Sequence, residues 1–216
     1  MIPVNEGMNF FVYRFFRIGP VLREIYYQYW NRLYFRLLGI EYGSNLLVNN
    51  QVYIRGVGTL KIGNDFRFTS GDSINPICRN IKGEFYFDSP SARITIGDRV
   101  GMSSTCLRAK TAITIGNDVN IGGDCLIMDS DTHPISYLKR RRDYSLSLEA
   151  GELDELNPSA PITIEDDVWV GARCMILKGV TIGARSVIAA GSVVVNDIPA
   201  DCIAGGVPCK VIKYLK

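Results

Sequence analysis

"IEDDVWVGARCMILKGVTIGARSVIAAGSV", residues 164–193, falls into five consecutive units of six. Each unit opens with an aliphatic residue (Ile164, Val170, Ile176, Ile182, Ile188) and carries a small or β-branched residue in most fifth places. The pattern recurs upstream as I115GNDVN, I121GGDCL and I127MDSDT, and as I96GDRVG followed by M102SSTCL. A weaker copy starts at I62GNDFR. A period of six suits neither an amphipathic helix nor a simple alternating strand. It does suit a parallel β-helix, in which a short strand and a tight turn repeat and one aliphatic side chain per unit enters the bore. Such coils bury their inner faces only by stacking, at about 4.8 Å per step. The expected class is therefore all-β. Cys106, Cys125 and Cys174 occupy the small fifth place and read as core packing.

Composition narrows the function. The chain has 216 residues, with 24 basic and 22 acidic side chains for a net charge of +2. That balance is too weak a field to point to nucleic acid. The six cysteines are dispersed without a CxxC pair, and His133 is the one histidine. This argues against a zinc site, which wants three or four nitrogen or sulfur ligands. The start, MIPVNEGMNF, lacks the pattern of a secretory leader, so reduced thiols and a cytoplasmic location are expected. Residues 8–38 are rich in aromatics and arginine, and Gly19-Pro20 is expected to divide them into two helices. Arginines interrupt the apolar residues too often for a membrane span. Two readings stay open: a helical segment that packs on the main body or a neighbouring subunit, or a basic amphipathic surface that touches an anionic inner membrane face.

The stretch from Pro161 to Lys213, "PITIEDDVWVGARCMILKGVTIGARSVIAAGSVVVNDIPADCIAGGVPCKVIK", resembles the hexapeptide-repeat acyltransferases, and within them the galactoside and maltose O-acetyltransferases. The resemblance implies a left-handed β-helix with three units per coil. The expected organisation is an N-terminal helical segment over 1–42, the β-helix over 43–199, and a short helical tail over 200–216. It further implies a homotrimer with acetyl-CoA, the donor, between neighbouring β-helices. In such enzymes the catalytic histidine closes a repeat and precedes an excursion loop. "DTHPI" holds that place here, and the excursion runs over about 134–161.

Acetyl transfer to a hydroxyl needs a base for the alcohol proton and a donor for the developing oxyanion. Imidazole suits the first task, and the resemblance assigns it to His133. Asp129 and Asp131, or a backbone carbonyl, are candidates to hold its second nitrogen; the two acids could equally bind acceptor or be solvated loop charges. The oxyanion donor is expected from a backbone amide near Ala172. By resemblance, Trp169 borders the cleft and Ala172 and Ala190 line the pantetheine wall. Val195 and Asn196 stand where the family often has Thr-Lys, so one cofactor contact differs. Lys210 and Lys213 match basic positions at the nucleotide end of CoA, and share a face if the tail is helical. Ser103 and Thr111 fall where the galactoside and maltose enzymes place an Asn and an Asp, which argues against the same free sugar. Lys139 and Arg140 to Arg142, followed by Glu149, Glu152, Asp154 and Glu155, form a charged excursion that is either solvated or contacts an anionic acceptor. Together with the aromatic front segment this resembles the branch that acetylates surface polysaccharides, which implies a saccharide precursor as acceptor. The alternatives are a non-catalytic assembly subunit and an acetyltransferase acting on an amino sugar or serine.

Overall fold

The computed structural model describes residues 9–71, 75–78, 81–143 and 157–216. The chain winds into a three-sided prism, a left-handed β-helix. Its first sheet stacks Glu41–Tyr42, Thr59–Ile62, Arg93–Ile96, Ala112–Ile115, Ile162–Ile164 and Thr181–Ile182. The second stacks Leu47–Asn49, Arg67–Thr69, Gly101–Ser103, Asn120–Gly123, Trp169–Val170, Val187–Ile188 and Cys202–Gly205, and ends on an antiparallel strand, Lys210–Tyr214. The third stacks Val52–Gly56, Gly83–Phe87, Cys106–Ala109, Leu126–Met128, Met175–Leu177 and Val193–Val194. All other pairings between neighbouring strands are parallel.

The six-residue phase is the bore. Ile164, Val170, Ile176, Ile182 and Ile188 are each fully buried, as are the fifth-place residues Cys174, Ser186 and Ser192. Cys106 departs from the expectation. The turn after Met102 is one residue short, so Leu107 is the next inward residue and Thr105 takes the buried place. Cys106 faces outward, half-buried, and burial together with Glu84 pushes its thiol up to about 11.

The corner between the first and second sheets explains the Gly-Asx spelling of the units. Asp166 Oδ1 accepts the Asn117 amide (2.7 Å), Asn117 Oδ1 accepts the Asp98 amide (2.9 Å), and Asp98 Oδ1 accepts the Asn64 amide (2.7 Å). A Cβ on Gly116 would collide with Asp166 Oδ1, so this step of the ladder requires glycine. The next residue in each corner is left-handed, with φ of 56° to 58° at Asp65, Arg99 and Asp118. Aspartate tolerates that region better than most residues, and the corner is closed again by side chains such as Arg99 on Asp118 (2.6 Å).

At one end a single helix, α1 (Asn9–Leu37), runs through Gly19-Pro20 without a break. The expected division into two helices is not found: Pro20 lacks one amide donor, and the turns on either side carry the helix across it. α1 caps the open first coil. Phe35 is fully buried in the core, and Asn31 Nδ2 donates to the carbonyls of Val48 (3.1 Å) and Asn50 (2.8 Å). These strand-edge groups would otherwise be exposed to another chain. The outer stripe of Leu22, Tyr26, Tyr29, Leu33 and Leu37 is exposed. No helix among the described residues is long and apolar enough to cross a membrane.

The tail corrects a third expectation. Lys210–Tyr214 is a strand, folded back antiparallel on Cys202–Gly205, and the expected helix is absent. Its β-branched and aromatic residues Val211, Ile212 and Tyr214 suit the sheet edge, whose last parallel strand needs a partner for its backbone groups.

Candidate active site

The repeat stops at the corner between the third and first sheets. After Leu126–Met128 the chain reaches Asp129, bridges Ser130 to the returning Ser159, and departs. His133 stands exposed at this root, followed by the buried Pro134 and a short helix, α2 (Tyr137–Asp143). Lys139 and Arg140 to Arg142 lie on α2, whereas Glu149, Glu152, Asp154 and Glu155 lie outside the described residues.

The two acids beside His133 have different tasks. Asp129 is fully buried, and its carboxylate accepts the amides of Lys110, Thr111 and Ala112, each at 2.7 Å. Burial pushes this carboxyl up and the three amides oppose the shift. Asp129 thereby ties the corner to three successive backbone amides of the coil before. Asp131 is partly exposed, but the Lys178 ammonium, one coil on, donates to its Oδ2 at 2.5 Å. Lys110 reaches the Asn157 carbonyl (2.6 Å), and Thr111 Oγ1 lies 2.6 Å from Ser159 Oγ. Thr111 is therefore part of the seam that closes the excursion.

A second region lies on the outer face of the second sheet. Trp169, 58% exposed, and Ser103 line a shallow groove of about 250 Å³ with Arg67, Thr69 and Asn120. Gly101, Met102, Ile121 and Gly122 complete its lining. The structure thus brings Ser103 and Trp169 together and separates both from Thr111. A larger hollow of about 480 Å³ at the end of α1, near Leu38 and Phe87, contains none of the candidate site residues.

Ala172 and Ala190 stack at the corner between the second and third sheets, where the Gly191 amide donates to the Ala172 carbonyl (2.9 Å). The wall is tight: Cβ atoms on Gly122 and Gly171 would press on the backbones of Ala172 and Ala190. Val195 and Asn196 are exposed just beyond the last strand of the third sheet, apart from this wall. Lys210 pairs with Gly205 and Lys213 with Ile203, and Ile212 is the extra residue of a bulge. Because Cys202 and Ala204 point inward, Ile203 and Gly205 point outward, and both lysines share that outer face. The shared face is present, through a bulge in a strand and not through a helical turn.

In one chain His133 lies at the corner of the third and first sheets, across the prism from the second-sheet face that carries Trp169, Ser103, Lys210 and Lys213. Sequence reading missed Lys178 and Arg67. Lys178 takes the third place of its unit, in register with Asp129 of the coil before. A cation stacked over an Asp-rich turn was the available signal. Arg67 sits in a unit too imperfect to place.

The bacterial transferase hexapeptide family (six repeats) matches residues 161–196. Galactoside O-acetyltransferase of Escherichia coli is 36% identical over 140 residues, covering 62% of this chain and 63% of that protein. The chain therefore spans less than two thirds of this relative. A hexapeptide-repeat acetyltransferase from Vibrio cholerae superposes with a TM-score of 0.54 at 28% identity, covering 86% of this chain and 79% of its own. AntD, an N-acyltransferase from Bacillus cereus, shares the fold with a TM-score of 0.64 at 19% identity, covering 86% and 89% of the two chains. The chain is thus a left-handed β-helix whose residues 161–196 match the bacterial transferase hexapeptide repeat, and it is similar to galactoside O-acetyltransferase and to a hexapeptide-repeat acetyltransferase.

Proposed function

We propose that this protein is an acetyl-CoA-dependent O-acetyltransferase whose acceptor is a saccharide hydroxyl, on a surface-polysaccharide precursor. The observation that carries the reading is the position of His133: exposed where the repeat ends, on a root tied down from both flanking coils. His133 takes the hydroxyl proton as oxygen attacks the thioester and returns it to the departing thiolate, so that protons balance over the cycle. Acetyl-CoA supplies the acyl group. The narrow wall at Ala172 and Ala190 fits a thin pantetheine arm, and Lys210 and Lys213 fit its phosphates with two charge-assisted donors. A backbone amide near Ala172 stabilises the developing oxyanion.

The site is completed between subunits. A homotrimer of parallel prisms sets the His133 corner of one copy against the Trp169 face of the next. The outer side of the third sheet supports such contact, because Met175 and Val195 are large apolar residues exposed on a single chain. The outer stripe of α1, carried by a helix with five arginines against Glu24, supports contact with an anionic membrane face.

Thermal unfolding with CoA and acetyl-CoA tests the donor half. A ligand at about 100 times its Kd adds roughly 2.7 kcal/mol, a readily seen shift. No shift with either CoA or acetyl-CoA would favour an assembly subunit without catalysis.

A further inference from the structure

We propose that Lys178, Asp131 and Arg140 form a two-sided clamp that holds Thr132 in a left-handed conformation and thereby aims His133. This rests on the reading of His133 as the base and names the residues that position it.

Thr132 has a φ of 61°. The other non-glycine residues with positive φ are Asn, Asp, Arg and Ser, most of them at coil corners where the ladder of amides and Asx side chains holds them. Thr132 is the one β-branched residue among them in the described set, and it closes the last unit before the excursion. A branched Cβ crowds the backbone in this region, so the conformation persists only where neighbours over-determine it.

Both sides of Thr132 are over-determined. On one side Asp131 is held by the Lys178 ammonium at 2.5 Å, and its amide donates to the Pro158 carbonyl (3.3 Å). Lys178 is itself placed by the coil: Leu177 pairs with Met128, and the Gly179 amide donates to the Ala160 carbonyl (3.0 Å). On the other side Pro134 is buried, and Arg140 Nη1 donates to the carbonyls of Pro134 (2.8 Å) and Ile135 (2.5 Å). His133 is the residue between the strained link and the anchored proline. Relaxing Thr132 to an ordinary φ would rotate the following peptide and swing the imidazole away from its present direction. The salt bridge therefore acts on His133 through the backbone, which makes Lys178, Asp131 and Arg140 positioning residues.

The single histidine makes the test direct, since isotope-labelled histidine reports on this ring alone. The full-length protein, Lys178→Met, Lys178→Arg and Thr132→Gly are compared by ring NMR, thermal unfolding and, where acetylation is found, steady-state kinetics. The clamp predicts one sharp ring environment in the parent and in Lys178→Arg. It predicts doubled ring signals, or lines broadened by roughly twofold or more, in Lys178→Met, and a single ring environment in Thr132→Gly, where the clamp is intact. Thr132→Gly should unfold no earlier than the parent, because glycine accepts the left-handed backbone without crowding. In turnover, Lys178→Met should lower kcat by roughly ten- to a hundredfold with KM for acetyl-CoA unchanged, and Lys178→Arg should restore most of it. Superimposable ring signals in all four proteins overturn the clamp, whatever the activity. Unchanged acetylation in His133→Ala would instead defeat the functional reading and leave the ring spectra as an independent test of the clamp.

Discussion

The Thr111 amide donates to Asp129 Oδ2 at 2.7 Å, joining the residue before the strand Ala112–Ile115 to the residue after the strand Leu126–Met128. With the amides of Lys110 and Ala112 on the same buried carboxylate, this is a structural knot beneath the candidate base.

Replacing Asp129 with Ala should therefore act on folding. Buried donors left without partners cost roughly 1–3 kcal/mol each, so even partial rescue by water leaves a loss of several kcal/mol. Thermal unfolding should show a clear drop, and CoA should still raise the midpoint of the folded variant. A variant as stable as the parent would show that the three amides find other acceptors.

Replacing Lys210 and Lys213 together with Ala should raise KM for acetyl-CoA more than it lowers kcat, since both ammonium groups lie away from His133 on the second-sheet face. Titration of CoA by calorimetry gives the same comparison without an acceptor. Equal affinity in the double variant would detach the tail from the nucleotide. Deleting Ile212, the extra residue of the bulge, leaves the two lysines two apart on one face of a regular strand, so CoA binding should survive that deletion.

The α1 stripe gives a third expectation. Full-length protein should sediment with vesicles containing phosphatidylserine and stay behind with pure phosphatidylcholine, and added salt should reduce the bound fraction. Tyr29→Ser with Leu33→Ser should release it, because both side chains are exposed on the described helix. A concentration-dependent change in assembly size in the same variant, with no vesicle binding in the parent, would place a second copy on the stripe.

The interior of this fold was open to sequence reading because inward residues recur at fixed intervals and nothing else can satisfy that phase. Ile164, Ile176 and Ile188 are where the period puts them. The failures have specific causes. Cys106 left its expected place because one turn is a residue short, and a six-count cannot see a five-residue step. The lysine spacing in the tail fits a helix and a bulged strand equally, and the need of the last strand for a partner decides between them. Asp129 and Asp131 look alike in "DSDTH", yet one is consumed by amides and the other by a lysine 47 residues away. Contacts across an excursion leave no local trace in the sequence. The position of His133, by contrast, was legible because it coincides with the end of the period.

The account turns on His133, and the most direct measurement is the rate of thiol release from acetyl-CoA with a saccharide panel, parent against His133→Ala, both checked for equal unfolding midpoints. The proposed role predicts saccharide-dependent release in the parent and a fall of roughly a hundredfold to ten-thousandfold in the variant. Near-parental turnover in a folded His133→Ala protein would contradict it.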